Sequence, residues 1–146
     1  MFDLAALNTA TEAVHELELL HPDTKEPMGL FIAHKATASP SVQEVANRQA
    51  NRMLRKQFAS QRKGKDEEPP TIEQYKSNAA EILAAATVRW FERDAKGKEI
   101  DGFPFGPERK LFSPEAAQEL YANPGFIWLR DQLNEAVDDL GNFIKT

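Results

Sequence analysis

The sequence predicts an α+β domain, an N-terminal β-hairpin followed by about four α-helices. Three observations carry that prediction. Apolar and acidic residues alternate with a period of two near the start, where Leu17 and Leu19 alternate with Glu16 and Glu18. Two Ser-Pro steps, Ser39-Pro40 and Ser113-Pro114, place a capping hydroxyl before a proline suited to the first helical position. Two later runs show apolar residues at helical spacing, one around Ile82 and Leu83 and one around Leu129, Leu133 and Val137.

The hairpin comes first. Residues 22–27, PDTKEP, are turn chemistry with a proline at each end. Pairing His21 with Met28 sets Leu19 against Leu30, Leu17 against Ile32 and His15 against His34, so the apolar pairs fall on one face. The run 41–63 lacks Gly and Pro and reads as a helix with a thin apolar stripe of Val42, Val45, Met53 and Phe58. A stripe that thin predicts a helix that protrudes or completes its burial against a partner. Residues 64–71, GKDEEPPT, form a linker, because no helix continues through Pro69-Pro70. A second helix is expected over 72–91, with Tyr75, Ala79, Ile82, Leu83, Ala86 and Trp90 on its core face. The Gly/Pro-rich segment 94–107 reads as a loop with room for a short ribbon. A short helix follows Ser113 and ends before Asn123-Pro124-Gly125, and a last helix runs over 126–142. The organisation expected is one domain: hairpin region 1–38, basic helix 39–63, linker 64–71 and helical core 72–146.

With 146 residues the chain is long enough to bury a core. No apolar run reaches the ~18–20 residues of a membrane span, and the acidic N-terminus lacks the positive start of a secretory signal. The absence of cysteine excludes disulfides, thiolate metal sites and a cysteine nucleophile. The net charge of −5 is uneven: residues 41–65 hold seven basic side chains and one acidic, inside an otherwise acidic protein. Such a segment suits a nucleic acid, an acidic partner, or the acidic part of its own or a sister chain.

Catalytic patterns are absent from the sequence. It has no phosphate-binding glycine loop, no dinucleotide fingerprint and no nucleophile elbow. The three histidines, His15, His21 and His34, raise the possibility of zinc. His21 lies six residues along the strand from His15, roughly 20 Å at ~3.3 Å per residue, so it cannot join the same ion. The histidines read as polar ends of a hairpin. Arg48, Arg52, Arg55, Lys56, Arg62, Lys63 and Lys65 recur at spacings of three and four, and a basic helix can track phosphates. Acidic overall charge and a lack of stacking aromatics apart from Phe58 weigh against nucleic acid.

The order of several short motifs resembles a known family. Phe2-Asp3-Leu4, then Glu18-Leu19, His21-Pro22-Asp23-Thr24 and Glu26-Pro27-Met28-Gly29-Leu30 occupy the N-terminal third. Residues 84–90, AAATVRW, are followed by a Gly/Pro-rich loop, then FSPEAA over 112–117 and LYANPGFI over 120–127. This succession resembles the tail assembly chaperones of long-tailed, siphovirus-type bacteriophages and covers most of the chain; residues 55–71 match least. The resemblance implies a non-enzymatic protein of the infected host cell's cytoplasm, without a cofactor. It implies a homo-oligomer that binds the phage tape measure protein, keeps it soluble and helps tail tube subunits polymerise around it. In many members a ribosomal frameshift appends a second domain, which here would begin within 142–146. Candidate partner contacts are Arg52, Met53, Arg55 and Phe58 on the basic helix, and Phe126 and Trp128 beside the Asn-Pro-Gly turn. The alternative is a small nucleic-acid-binding or regulatory protein using residues 48–65.

Overall fold

The structure is a computed structural model that describes residues 3–64 and 71–143, apart from the side chain of Leu140. Most of the 64–71 linker, Lys65, and most of the segment proposed for a frameshift therefore lie outside the described residues. Strands β1 (His15–Leu20), β2 (Pro27–His34), β3 (Thr87–Arg93) and β4 (Glu99–Asp101) form an antiparallel sheet in that order. A small ribbon pairs β5 (Phe103–Phe105) with β6 (Glu108–Lys110). The helices are α1 (Pro40–Arg62), α2 (Ile72–Ala86), α3 (Pro114–Ala122) and α4 (Ile127–Asp138). The α+β class and the hairpin-then-helices order match the sequence reading.

Inside the hairpin, His15 pairs with His34 and Leu17 with Ile32, as the alternation requires. The expected pairs Leu19–Leu30 and His21–Met28 do not form. The register shifts between Glu18 and Leu20, and Leu20 pairs with Pro27. Gly29 causes the break: its backbone is left-handed (φ 71°), and its N–H donates to the Glu18 carboxylate at 3.1 Å. At the turn, the side chain that bonds the backbone is that of His21. Its Nδ1 accepts from the N–H groups of Asp23 and Thr24.

The largest correction concerns 72–91. The helix stops at Ala86 and the chain continues as β3, so the segment 72–146 is not purely helical. Residues 87–91, TVRWF, are β-branched or aromatic apart from Arg89 and favour a pleated strand over a continued helix. At the boundary the Thr87 hydroxyl donates to the Leu83 carbonyl at 2.8 Å. Trp90, expected on the helix, pairs with Ile32 across the sheet. Tyr75 and Ala79, expected on the core face, are exposed. The last helix also ends early, at Asp138. The Asp139 side chain accepts from the Gly141 N–H, an Asx turn that competes with helical bonding, and a 3-10 turn follows over Leu140–Phe143.

One face of the sheet carries the core. Leu19, Ile32, Trp90 and Phe103 pack with Val42 of α1, Leu83 of α2, Leu120 and Tyr121 of α3, and Leu129, Leu133 and Val137 of α4. The Trp90 indole stacks on Phe103 at 5.1 Å and donates to the Lys110 carbonyl, tying the ribbon to the sheet. On the opposite face the Phe31 and Phe91 rings stack at 5.4 Å, with the Arg89 guanidinium over Phe91 and that of Arg93 over Phe31. At the edge, the Gln132 amide both donates to and accepts from the Leu20 backbone at 2.9 Å, standing in for a neighbouring strand.

Candidate partner-binding surface

The basic helix is held at one end. Lys35 donates its N–H to the Ala86 carbonyl at 2.7 Å and its ammonium to the Ser41 hydroxyl at 3.2 Å. The end of α2 and the start of α1 thus meet at one residue, and the two helices leave it antiparallel. Ser39 stands at the N-cap as expected, yet its hydroxyl does not cap the helix. It donates to Glu12 at 2.8 Å, and Glu12 itself accepts from the Ser41 N–H at 2.9 Å. The Lys35 ammonium, 2.8 Å from Glu12, and the hydroxyl and N–H donors of Ser39 and Ser41 pull the Glu12 carboxyl down to about 2. A carboxylate from outside the helix therefore serves the helix N-terminus.

From that base α1 runs 23 residues and α2 runs 15, or about 34 and 22 Å at 1.5 Å per residue. So α1 overshoots its partner by about two turns. Gln49 donates to the Asn78 carbonyl and the Glu81 carboxylate, and Arg52 pairs with Glu81 at 2.9 Å. Beyond Gln49, every residue from Ala50 to Ala59 is exposed. The predicted protrusion is present. We call the pair of helices the arm.

Of the six candidate contacts, four lie on the arm. Arg52 and Arg55 line an open cleft of about 400 Å³ with Arg48, Asn51 and Glu81. Met53 is 43% exposed and Phe58 59% exposed. Phe58, however, does not extend the Val42–Val45 stripe. Sixteen residues at 100° each place it roughly opposite Val42. Leu54, 49% exposed and one turn before Phe58, shares that outward face and was missed because the stripe was read along the buried side. Phe126 and Trp128 behave differently. They are half-buried against the core, their ring centroids 6.4 Å apart, with Phe126 5.9 Å from the ring of Phe105. Among the described residues no hydrogen bond, ion pair or ring contact joins them to the arm set.

A second cleft, about 300 Å³, lies between β1 and α4, where Leu17, Leu20 and Ala136 are accompanied by Glu18, Glu135 and Asp139. His15 also borders it and meets His34 across the hairpin. His34 donates from Nδ1 to the Lys35 carbonyl and accepts at Nε2 from His15 Nδ1, each at 3.1 Å, in the tautomers that satisfy both contacts. The Phe143 ring packs edge-on against both imidazoles. Burial pushes the fully enclosed His34 below its usual 6.5, against the pull of the Lys35 carbonyl and aided by His15. Among the described residues no group of three or more His, Asp or Glu side chains converges on a metal position. No helix of the described residues is long and apolar enough to cross a membrane.

No protein-family model, curated protein or solved structure matches the chain.

Proposed function

We propose that the chain is a non-enzymatic phage tail assembly chaperone. It binds the tape measure protein in the host cell cytoplasm, keeps it soluble, and promotes polymerisation of tail tube subunits around it, acting as a homo-oligomer. The observation that carries this reading is the arm. It presents Leu54 and Phe58 to solvent beside a row of exposed arginines on a helix fixed at its base. An exposed apolar face rimmed by charge suits capture of a helical protein segment. A tape measure protein is long and helical, and it is unprotected until the tube encloses it. The succession of motifs from His21-Pro22-Asp23-Thr24 to Asn123-Pro124-Gly125 supports the same assignment.

The test is capture of tail proteins by the tagged chain from cells expressing the phage's tail genes, read by mass spectrometry. Retention of a long helical protein that is insoluble when made alone is the expected result. Retention of nucleic acid with no tail protein would refute the proposal and favour a nucleic-acid-binding role for residues 48–65. The absorbance ratio at 260 and 280 nm of the purified protein separates the two at the outset.

A further inference from the structure

The outward face of α1 is patterned in sevens. Asn47, Asn51, Leu54, Phe58 and Gln61 follow one another at alternating steps of four and three, which is the spacing of a coiled-coil seam. Arg48, Arg55 and Arg62 flank that seam at intervals of seven, all on the same side. On the other flank stand Ala50 and Gln57, which carry no charge. The seam lies roughly opposite Val42, Val45 and Gln49, so packing against α2 and the core leaves it open. Arg48 and Arg55 make no ion pair with any described residue, and both line the 400 Å³ cleft beside the seam.

We propose that this face receives an acidic amphipathic helix from a protein partner. Apolar residues of that helix pack around Leu54 and Phe58, and its Glu or Asp side chains, spaced by seven, reach Arg48, Arg55 and Arg62. This deepens the chaperone reading by naming the kind of segment bound, and it rests on that reading only for the partner's identity. Three features select the occupant. Only two of the five seam positions are apolar, so the seam is weak alone and flanking charge decides what binds. The asparagines favour one register over slipped ones. A second copy of the same face is disfavoured: antiparallel pairing sets arginine rows against each other, and parallel pairing sets them against Ala50 and Gln57. A nucleic acid would leave Leu54 and Phe58 uncovered beneath its phosphates.

The experiment titrates the full chain with two synthetic three-heptad helical peptides. Both have leucine at the seam positions; one carries glutamate on its flanks and the other lysine. The expected result is binding of the glutamate peptide, weakened by salt, with the lysine peptide at least about tenfold weaker. Arg48→Glu with Arg55→Glu reverses that preference. Leu54→Ser with Phe58→Ser abolishes binding of both peptides. All four positions are exposed, so circular dichroism should show wild-type helix; the Leu54→Ala, Phe58→Ala pair serves if serine lowers it. Equal binding of the two peptides, or no binding of the glutamate peptide, would overturn the proposal. So would self-association that disappears with Leu54 and Phe58, or displacement of the peptide by duplex DNA. Peptide binding without capture of a tail protein would leave the seam standing and sink the chaperone reading. Capture that survives in Arg48→Glu, Arg55→Glu would do the reverse.

Discussion

The Thr87–Tyr121 pair makes the stability of the helix-to-strand switch measurable. The Thr87 hydroxyl donates to the Leu83 carbonyl, and its oxygen lies 2.8 Å from the Tyr121 hydroxyl, with both residues buried. Burial also pushes the Tyr121 phenol upward, so it remains a neutral hydrogen-bonding group. Tyr121→Phe removes one hydrogen bond and orphans nothing, because Thr87 keeps Leu83 as its acceptor. A cost of about 0.5–1.5 kcal/mol is expected. Thr87→Val keeps the shape but strands the phenol and the Leu83 carbonyl together in the core. Each orphan costs about 1–3 kcal/mol, so the variant should lose about 2–6 kcal/mol. In the double variant the stranded phenol is gone, and its cost should fall short of the sum of the singles by about 1–3 kcal/mol. Urea unfolding followed by circular dichroism, with equal slopes across the four proteins, measures the cycle. Additive costs, or a larger loss for Tyr121→Phe than for Thr87→Val, would refute the reasoning.

Three other perturbations follow from the same kind of accounting. Glu12→Gln should lower the melting temperature at neutral pH. Because folding depresses the Glu12 carboxyl, its stabilisation is complete above the usual 4.5 and fades as pH falls toward about 2, so wild-type and variant melting curves should converge over that window. His34 is held neutral by burial, so the unfolded chain binds its proton more readily; stability should decline as pH falls below 6.5, and that slope should flatten in His34→Phe, as thermal melts against pH would show. Gly102 has a left-handed backbone (φ 85°), and an added Cβ would lie 2.8 Å from the Lys110 carbonyl oxygen, so Gly102→Ala should cost about 1–3 kcal/mol in urea unfolding.

How far the fold was legible depended on whether the deciding contact was local. Ser113 caps α3 through the Ala116 N–H, two residues past Pro114, and such a cap can be read directly from four residues. The His15–His34 pairing follows from the register that sets Leu17 against Ile32, although the His21–Met28 pair from which that register was counted does not form. The end of α2 did not follow, because Ala84 to Ala86 continue a helical pattern into Thr87. What ends it is pairing with β2, more than fifty residues earlier in the chain. The Glu12 cap was equally hidden, since nothing in the sequence ties Glu12 to Ser39 and Ser41. At the partner surface, the basic residues and Phe58 were visible as residue types. The side of the helix they occupy was not, until Val42 and Gln49 fixed which side faces inward.

Lys35 has a mechanical consequence. Its backbone N–H joins the end of α2, and its ammonium joins the start of α1 and, through Glu12, the N-terminal segment, so three pieces of chain meet at one residue. Phe58 sits eighteen residues beyond Pro40, about 27 Å along a straight helix. A tilt of about 10° at the base sweeps that ring through about 5 Å, close to one helical turn. The arm is thus a lever with a short hub and a long throw. Substitutions at Glu12, Lys35 or Ser41 would therefore be felt most at the outer end of α1, without altering Leu54, Phe58 or the arginines beside them.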